Sequence, residues 1–409
     1  MHDSSPSSDL QTSDLRPLGL YIQVPFCQTK CTYCNFYTGP FSRSLYDPYV
    51  LALCREISEY TALSRSSGFS SSLATSHSPL TTSSADTLYI GGGTPSLLDP
   101  AALARILEAV RCSLALSSSA EVTLEADPET ISPERASAWL ACGINRISLG
   151  SQSFNDAELR ASGRLHRRDD ICRANRTLRA AGFRNLSFDL IAGLPHQNAS
   201  SWRDSLDQLL SLAPEHISIY MLEIDEGSRL GREVIAGGSR YSASALPDDD
   251  AISSFYEVAC DLLARAGYDH YEISNWAVPG RRSLHNLKYW TRASYLGFGA
   301  GAHSFDGHVR WANAHDPAAY VASINSGRLP IEQHETLTPQ QALDEELFLG
   351  LRLLDGINWH TLEQRYGVSL RARLESLAAD GLILLDGPIA RLAPSRLSVS
   401  NEVFASLLG

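Results

Sequence analysis

Cys27-Gln28-Thr29-Lys30-Cys31-Thr32-Tyr33-Cys34 puts three thiols into eight residues, directly after the apolar run Leu20-Tyr21-Ile22-Gln23-Val24. The run reads as a strand, so the thiols open the loop that leaves its C-terminal end. Three thiolates at this C-x3-C-x2-C spacing can wrap one face of an iron–sulfur cubane. A [4Fe–4S] cluster ordinarily takes four cysteines, so three leave one iron open to a ligand. A three-cysteine zinc site and chance clustering are the other readings of the same residues. Cys54, Cys112, Cys142, Cys172 and Cys260 are scattered singly, mostly in helical patterns, and read as small buried hydrophobes.

Outward from this loop, strand-like and helix-like stretches alternate. Residues 87–90, 121–126, 146–149, 186–191 and 217–222 read as further strands. Helical patterns fall at 47–63, 100–111, 133–142, 168–181 and 201–212, the first with Asp47 as N-cap and Pro48 at the first helical position. This rhythm predicts an α/β fold, a parallel sheet with helices outside. Six strand–helix pairs suit an incomplete (βα) barrel or a doubly wound sheet, and periodicity does not separate them. Residues 61–85, rich in Ser and Thr, read as a surface loop, and the Ser-rich residues 1–17 as a disordered N-terminal tail. From 335 onward, helical runs at 339–354, 359–366 and 370–380 precede strand-like residues 382–385 and 390–392, with Asp386-Gly387 marking a hairpin turn. Three helices and a hairpin resemble a winged helix, read here as a packing module.

The composition narrows the function. At 409 residues and 44% hydrophobic, the chain can bury a large core and form two or three domains. Its net charge of −12 argues against nucleic acid and against a polybasic membrane surface. Only Lys30 and Lys288 are lysines, and neither follows a glycine run, which excludes a phosphate-binding loop. No apolar window is long enough for a transmembrane helix, and the N-terminus has neither a basic start nor an apolar core. A cytoplasmic chain is expected, whose reduced thiols make a tight cysteine cluster metal-binding or catalytic.

Gly91-Gly92-Gly93-Thr94-Pro95 follows the second strand, and a glycine run lets the backbone approach a ligand closely. Together with the cysteine triad, this resembles the radical S-adenosylmethionine (SAM) superfamily, whose marks are CxxxCxxC and GGGTP. The resemblance implies a [4Fe–4S] cluster on Cys27, Cys31 and Cys34, with Gly92, Gly93 and Thr94 against the methionine end of SAM. Glu125 (in Thr-Leu-Glu-Ala-Asp-Pro), Gln152 (in Gly-Ser-Gln-Ser-Phe-Asn), Arg164 (in Gly-Arg-Leu-His) and Asp189 (in Phe-Asp-Leu-Ile-Ala-Gly-Leu-Pro) fall near strand ends, where a βα barrel places its site. With Tyr21 and Tyr33 they resemble the SAM-contacting positions of the anaerobic coproporphyrinogen oxidase group. Carboxylates can hold ribose hydroxyls or the amino group, Arg the carboxylate, and Gln can bridge.

The resemblance runs from about residue 18 to the C-terminus. It implies an incomplete (βα)6 radical-SAM barrel over 18–240, an extension over 241–334 and a C-terminal helical, winged-helix-like domain over 335–409. Two features select a branch. Phe36 stands where those oxidases carry a further Cys, and His285-Asn286-Leu287-Lys288-Tyr289-Trp290 resembles the HNxxYW motif of the HemW-type haem chaperones. In that branch His285, Asn286, Tyr289 and Trp290 are haem candidates. A neutral imidazole is a common axial ligand, and Tyr and Trp offer flat apolar surface. A His–aromatic corner packed in the core is the alternative. His303, in Gly-Ala-Gly-Ala-His-Ser, is a weaker candidate. The function implied is a haem chaperone that binds a [4Fe–4S] cluster, SAM and haem and passes the haem to an acceptor protein. The alternative is an oxygen-independent coproporphyrinogen III oxidase. No residue is assigned a catalytic role.

Overall fold

The computed structural model describes residues 17–66 and 84–408. Six parallel strands form its centre: β1 (Leu18–Val24), β2 (Ala85–Gly92), β3 (Leu116–Ala126), β4 (Arg146–Gln152), β5 (Leu186–Ala192) and β6 (His216–Met221). Their side chains alternate as a pleat requires. Leu20, Ile22, Leu88, Ile90, Ile147, Leu149, Phe188, Leu190, Ile217 and Ile219 are buried in the core. On the opposite face Tyr21, Tyr89, Glu125, Ser148, Asp189 and Tyr220 look into a cavity. The connecting helices begin where the sequence supplies caps: Asp99 accepts from the Ala101 N–H before Pro100–Ser113, and Ser132 from the Arg135 N–H before Pro133–Ala141.

Six further strands flank this centre: β7 (Asp269–Glu272), β8 (Asn275–Ala277), β9 (Tyr295–Phe298), β10 (His303–Phe305), β11 (Val309–Asn313) and β12 (Ile331–Thr336). The sheet runs β12-β11-β10-β9-β1-β2-β3-β4-β5-β6-β8-β7. β9 joins β1 in parallel, and β8 joins β6 antiparallel. β1 and β6 are not neighbours, so the (βα)6 barrel is open, with a mixed sheet. The C-terminal part holds a small sheet, β13 (Ile357–Asn358), β14 (Ile383–Asp386) and β15 (Ile389–Leu392), beside helices Trp359–Tyr366 and Arg371–Ala379.

Several boundaries differ from the sequence reading. The first helix is Tyr46–Ser66, so Asp47 and Pro48 lie inside its first turn, behind a short 3-10 turn at Arg43–Leu45. It continues past the start of the expected 61–85 loop because Tyr60 and Leu63 are buried against the core. The expected tail falls almost wholly on residues 1–16, and most of the loop on 67–83, outside the described residues. The helix expected at 339–354 ends at Gly350. Beyond it the chain pairs with the β7 region, Ile273 N–H donating to Arg352 O (3.1 Å) and Leu354 N–H to Tyr271 O (3.1 Å). In the hairpin, Asp386 faces Ile389 within the ladder, which leaves Gly387, at φ 55°, and Pro388 as the turn.

Candidate functional site

The inward faces of the strands and the cysteine loop enclose two adjoining cavities. The smaller, of about 150 Å³, is walled by Cys27, Cys31, Cys34, Gly92 and Phe36. The larger, of about 660 Å³, falls within the size range of small-molecule sites. Tyr33, Gly93, Thr94, Gln152 and Arg164 face both. Tyr21, Glu125 and Asp189 face the larger one, and so do His285, Asn286, Tyr289 and Trp290. The residues singled out for SAM and those singled out for haem therefore share one wall.

The cysteine loop is held on several sides. Cys27 N–H donates to Gly39 O (2.8 Å), Thr32 N–H to Ser162 O (3.0 Å), and Leu230 N–H to Thr32 O (2.8 Å). Asn35 Nδ2 donates to Asp225 (3.0 Å), tying the loop to the chain after β6. Burial pushes the Cys27 thiol up to about 11. Such a thiol gives up its proton at neutral pH only to a metal or another strong positive charge. Among the described residues, no three Cys, His, Asp or Glu converge on one point as ligands of a single ion must. A cluster asks less, because each thiolate binds its own iron, and three thiols around one cavity fit that demand. Gly93 passes so close to this loop that a Cβ there would lie 2.6 Å from Phe26 O and 2.9 Å from Cys27 Sγ.

Polar groups above the loop are arranged by the strand register. Arg164, nearly buried, pairs with Asp127, donates to Gly150 O (2.7 Å) and faces Cys31 Sγ (3.5 Å). Thr94 donates to the same Asp127 (3.1 Å). Glu125 accepts from Tyr89 Oη (2.9 Å) and from the Gly92 N–H (3.0 Å). Its burial outweighs both bonds and lifts the carboxyl to about 7. Burial also raises Asp189, which accepts weakly from Ser148 Oγ (3.3 Å). These carboxylates are acceptors for the hydroxyls and ammonium of a ligand. Asp127 and Tyr89 were missed by the sequence reading. Asp127 stands two residues after Glu125, in the same Glu-Ala-Asp-Pro segment, and that neighbourhood was the available signal.

His285 sits on the short helix Leu284–Trp290 and is 1% exposed. Nδ1 faces Thr87 Oγ1 (2.9 Å) and Nε2 faces Tyr289 Oη (2.9 Å). Burial, then Lys288 and Arg146, push the imidazole down to about 3, so it is neutral at pH 7. Both nitrogens are engaged, and binding a metal through either requires a hydroxyl to let go. The ring lies 5.3 Å from that of Tyr89 and 6.3 Å from that of Tyr21. Trp290 carries the Arg352 guanidinium 4.4 Å above its ring, and Arg352 in turn pairs with buried Glu272 (3.6 Å).

The chain is similar to known proteins over most of its length. Residues 82–209 match the model of the radical SAM superfamily, and residues 337–395 that of the HemN C-terminal domain. The chain is 34% identical to heme chaperone HemW of Mycobacterium tuberculosis over 397 residues, covering 96% of this chain and 95% of that protein. It is 32% identical to heme chaperone HemW of Bacillus subtilis, covering 95% and 98%. It is also 32% identical to radical S-adenosyl methionine domain-containing protein 1, mitochondrial, of Bos taurus, covering 95% and 87%. Among solved structures, coproporphyrinogen III oxidase (HemN) of Escherichia coli superposes with a TM-score of 0.79 at 22% identity, over 96% of this chain and 90% of that one. That likeness concerns the fold alone. No helix among the described residues is long and apolar enough to cross a membrane.

Proposed function

This chain belongs to the HemW family of radical SAM proteins, and from that membership we propose that it is a haem chaperone, binding haem and passing it to an acceptor protein. The superfamily implies a [4Fe–4S] cluster and SAM. Cys27, Cys31 and Cys34 are the residues that would hold the cluster, which when bound supplies an iron with an open position and a one-electron couple. Gly92, Gly93 and Thr94 would take the methionine end of SAM. Arg164 and Gln152 would orient its polar groups, and Glu125 and Asp189 would accept from its hydroxyls and ammonium. Tyr21 and Tyr33 complete that wall.

The observation that supports haem as cargo is the motif His285 to Trp290 on the wall of the same cavity. Tyr289 and Trp290 offer flat surface to a porphyrin, and Asn286 a hydrogen-bonding edge. In this reading His285 is a positioning residue in the resting protein, fixing Tyr289 through its hydroxyl (2.9 Å). Phe36, 66% exposed beside Cys34, puts an apolar ring where the oxidases carry a further thiol. An anaerobic assay with SAM, a strong reductant and coproporphyrinogen III tests the reading. It predicts no sustained formation of protoporphyrinogen, and repeated turnover would replace the chaperone with an oxidase.

A further inference from the structure

The large cavity is acidic. Glu125, Asp127, Asp189, Glu223, Asp225 and Glu272 line it, against two guanidiniums, those of Arg164 and Arg352. Arg164 is committed, since it pairs with Asp127, donates to Gly150 O and faces Cys31 Sγ. Arg352 is not. Among the described residues its ion pair is with Glu272, at 3.6 Å too long for a hydrogen bond, and its Nε has no hydrogen-bond partner. Glu272 is held by other donors. Its Oε1 accepts from the Ser274 N–H (3.1 Å) and from Asn275 Nδ2, while its buried Oε2 has no hydrogen-bond partner among the described residues. A guanidinium carries its N–H donors in a fixed fork that matches a carboxylate, and the fork of Arg352 is only partly used.

The surroundings aim that fork at an incoming anion. The guanidinium lies 4.4 Å over the Trp290 ring, beside helix Leu284–Trp290. The backbone of Arg352 is fixed by the bond from Ile273 N–H to its carbonyl (3.1 Å). Ser400 and Asn401, at the N-terminal end of helix Ser400–Leu408, line the same cavity, and a helix N-terminus favours negative charge. Arg164 also lines the smaller cavity beside the cysteines, and Arg352 does not. The two guanidiniums thus serve different parts of the site, Arg164 the cluster side and Arg352 the side of Trp290. Haem is an apolar ring with two propionates on one edge. In a cavity lined by carboxylates those charges are repelled unless a cation meets them.

We propose that Arg352 is the carboxylate-binding residue of the cargo site, its guanidinium taking a propionate of the tetrapyrrole while the ring packs along helix Leu284–Trp290. This rests on the chaperone reading and names the group of the cargo that the C-terminal part recognises. Glu272 competes with the propionate for the same guanidinium, and the 3.6 Å separation of that pair leaves room for a better partner.

The test compares haemin with haemin dimethyl ester, in which both carboxylates are capped. Both are titrated into the full-length, cluster-loaded protein under anaerobic conditions and followed in the Soret band. Wild type, Arg352→Gln and Glu272→Gln are compared, and far-ultraviolet circular dichroism checks that each variant folds. The proposal expects wild type to bind haemin about ten-fold or more tightly than the ester. Arg352→Gln should bind the two equally, and Glu272→Gln should widen the preference for haemin. The affinity of Arg352→Gln for SAM should match wild type, because the methionine carboxylate is met on the cluster side. Equal binding of haemin and ester by wild type overturns the assignment while the chaperone reading stands, and so does an undiminished preference in folded Arg352→Gln. If Arg352→Gln does not fold, a preference that Glu272→Gln leaves unchanged or narrows overturns it. An Arg352→Gln protein that loses SAM but keeps the haemin preference gives Arg352 to the SAM carboxylate instead. If wild type binds neither haemin nor the ester, the chaperone reading falls as well.

Discussion

The two lysines, each inside a motif, show what individual residues do here. Lys30 Nζ donates to Phe36 O (2.8 Å) and closes the cysteine loop on itself. Lys288 Nζ donates to Pro17 O (2.6 Å) and pairs with Asp86 (2.5 Å), anchoring helix Leu284–Trp290 where β1 and β2 begin. Glu125 carries a prediction with a sign. Its folded value of about 7 lies above its ordinary 4.5, so the native state holds the proton more tightly. Its stabilising effect is complete below about 4.5 and is lost as pH rises through about 7. Relative to wild type, Glu125→Gln should therefore gain up to about 3 kcal/mol of unfolding free energy between pH 5 and pH 8. Denaturant titrations at the two pH values measure it, and the same variant should bind SAM at least about ten-fold more weakly. Tyr289→Phe leaves His285 Nε2 without its partner and should cost about 1–2 kcal/mol, read as a lowered melting temperature. At this scale the cysteine triad was legible because its ligands are neighbours in sequence. Asp127 beside Arg164 was not, because strand register rather than spacing brings them together.

Among the elements, the six parallel strands were readable because their outward positions alternate with apolar regularity. The antiparallel flanks were not. β8 and β10 have three residues each, too few to show a period, and β12 is almost wholly exposed. The cavity depends on these flanks, since β7, β8 and helix Leu284–Trp290 close the side left open between β6 and β1. The glycine segment after β2 is where backbone and cysteine loop meet most tightly. Gly92 has φ 114°, and a side chain on Gly93 would strike Phe26 O and Cys27 Sγ. Gly93→Ala should therefore fold, with its circular dichroism unchanged, yet hold markedly less cluster iron per chain than wild type after anaerobic reconstitution. Equal iron content in the two proteins would show that the loop gives way without losing its geometry.

At the scale of the whole molecule, the C-terminal part takes part in the site. Arg352 lies just beyond helix Pro339–Gly350, and both it and Ser400, the first residue of the last helix, line the large cavity. The sequence pattern predicts a winged-helix-like packing module with no link to the cavity, because that link runs through long-range ion pairs (Arg352–Glu272, Arg282–Asp355 and Arg292–Glu345) and backbone bonds to the β7 region. Arg352→Met takes the guanidinium off the Trp290 ring and strips buried Glu272 of its charge partner, and should cost about 3 kcal/mol near neutral pH. Urea unfolding checks this, and the loss should shrink as pH falls and Glu272 takes a proton. A cysteine loop, a cavity of about 660 Å³ and the helix Leu284–Trp290 on one wall suit a protein that carries haem rather than one that oxidises a porphyrinogen. Anaerobic titration of the cluster-loaded wild-type chain with haemin tests that claim most directly. The account predicts a Soret change that saturates at one haem per chain, and a titration without saturable binding would contradict it.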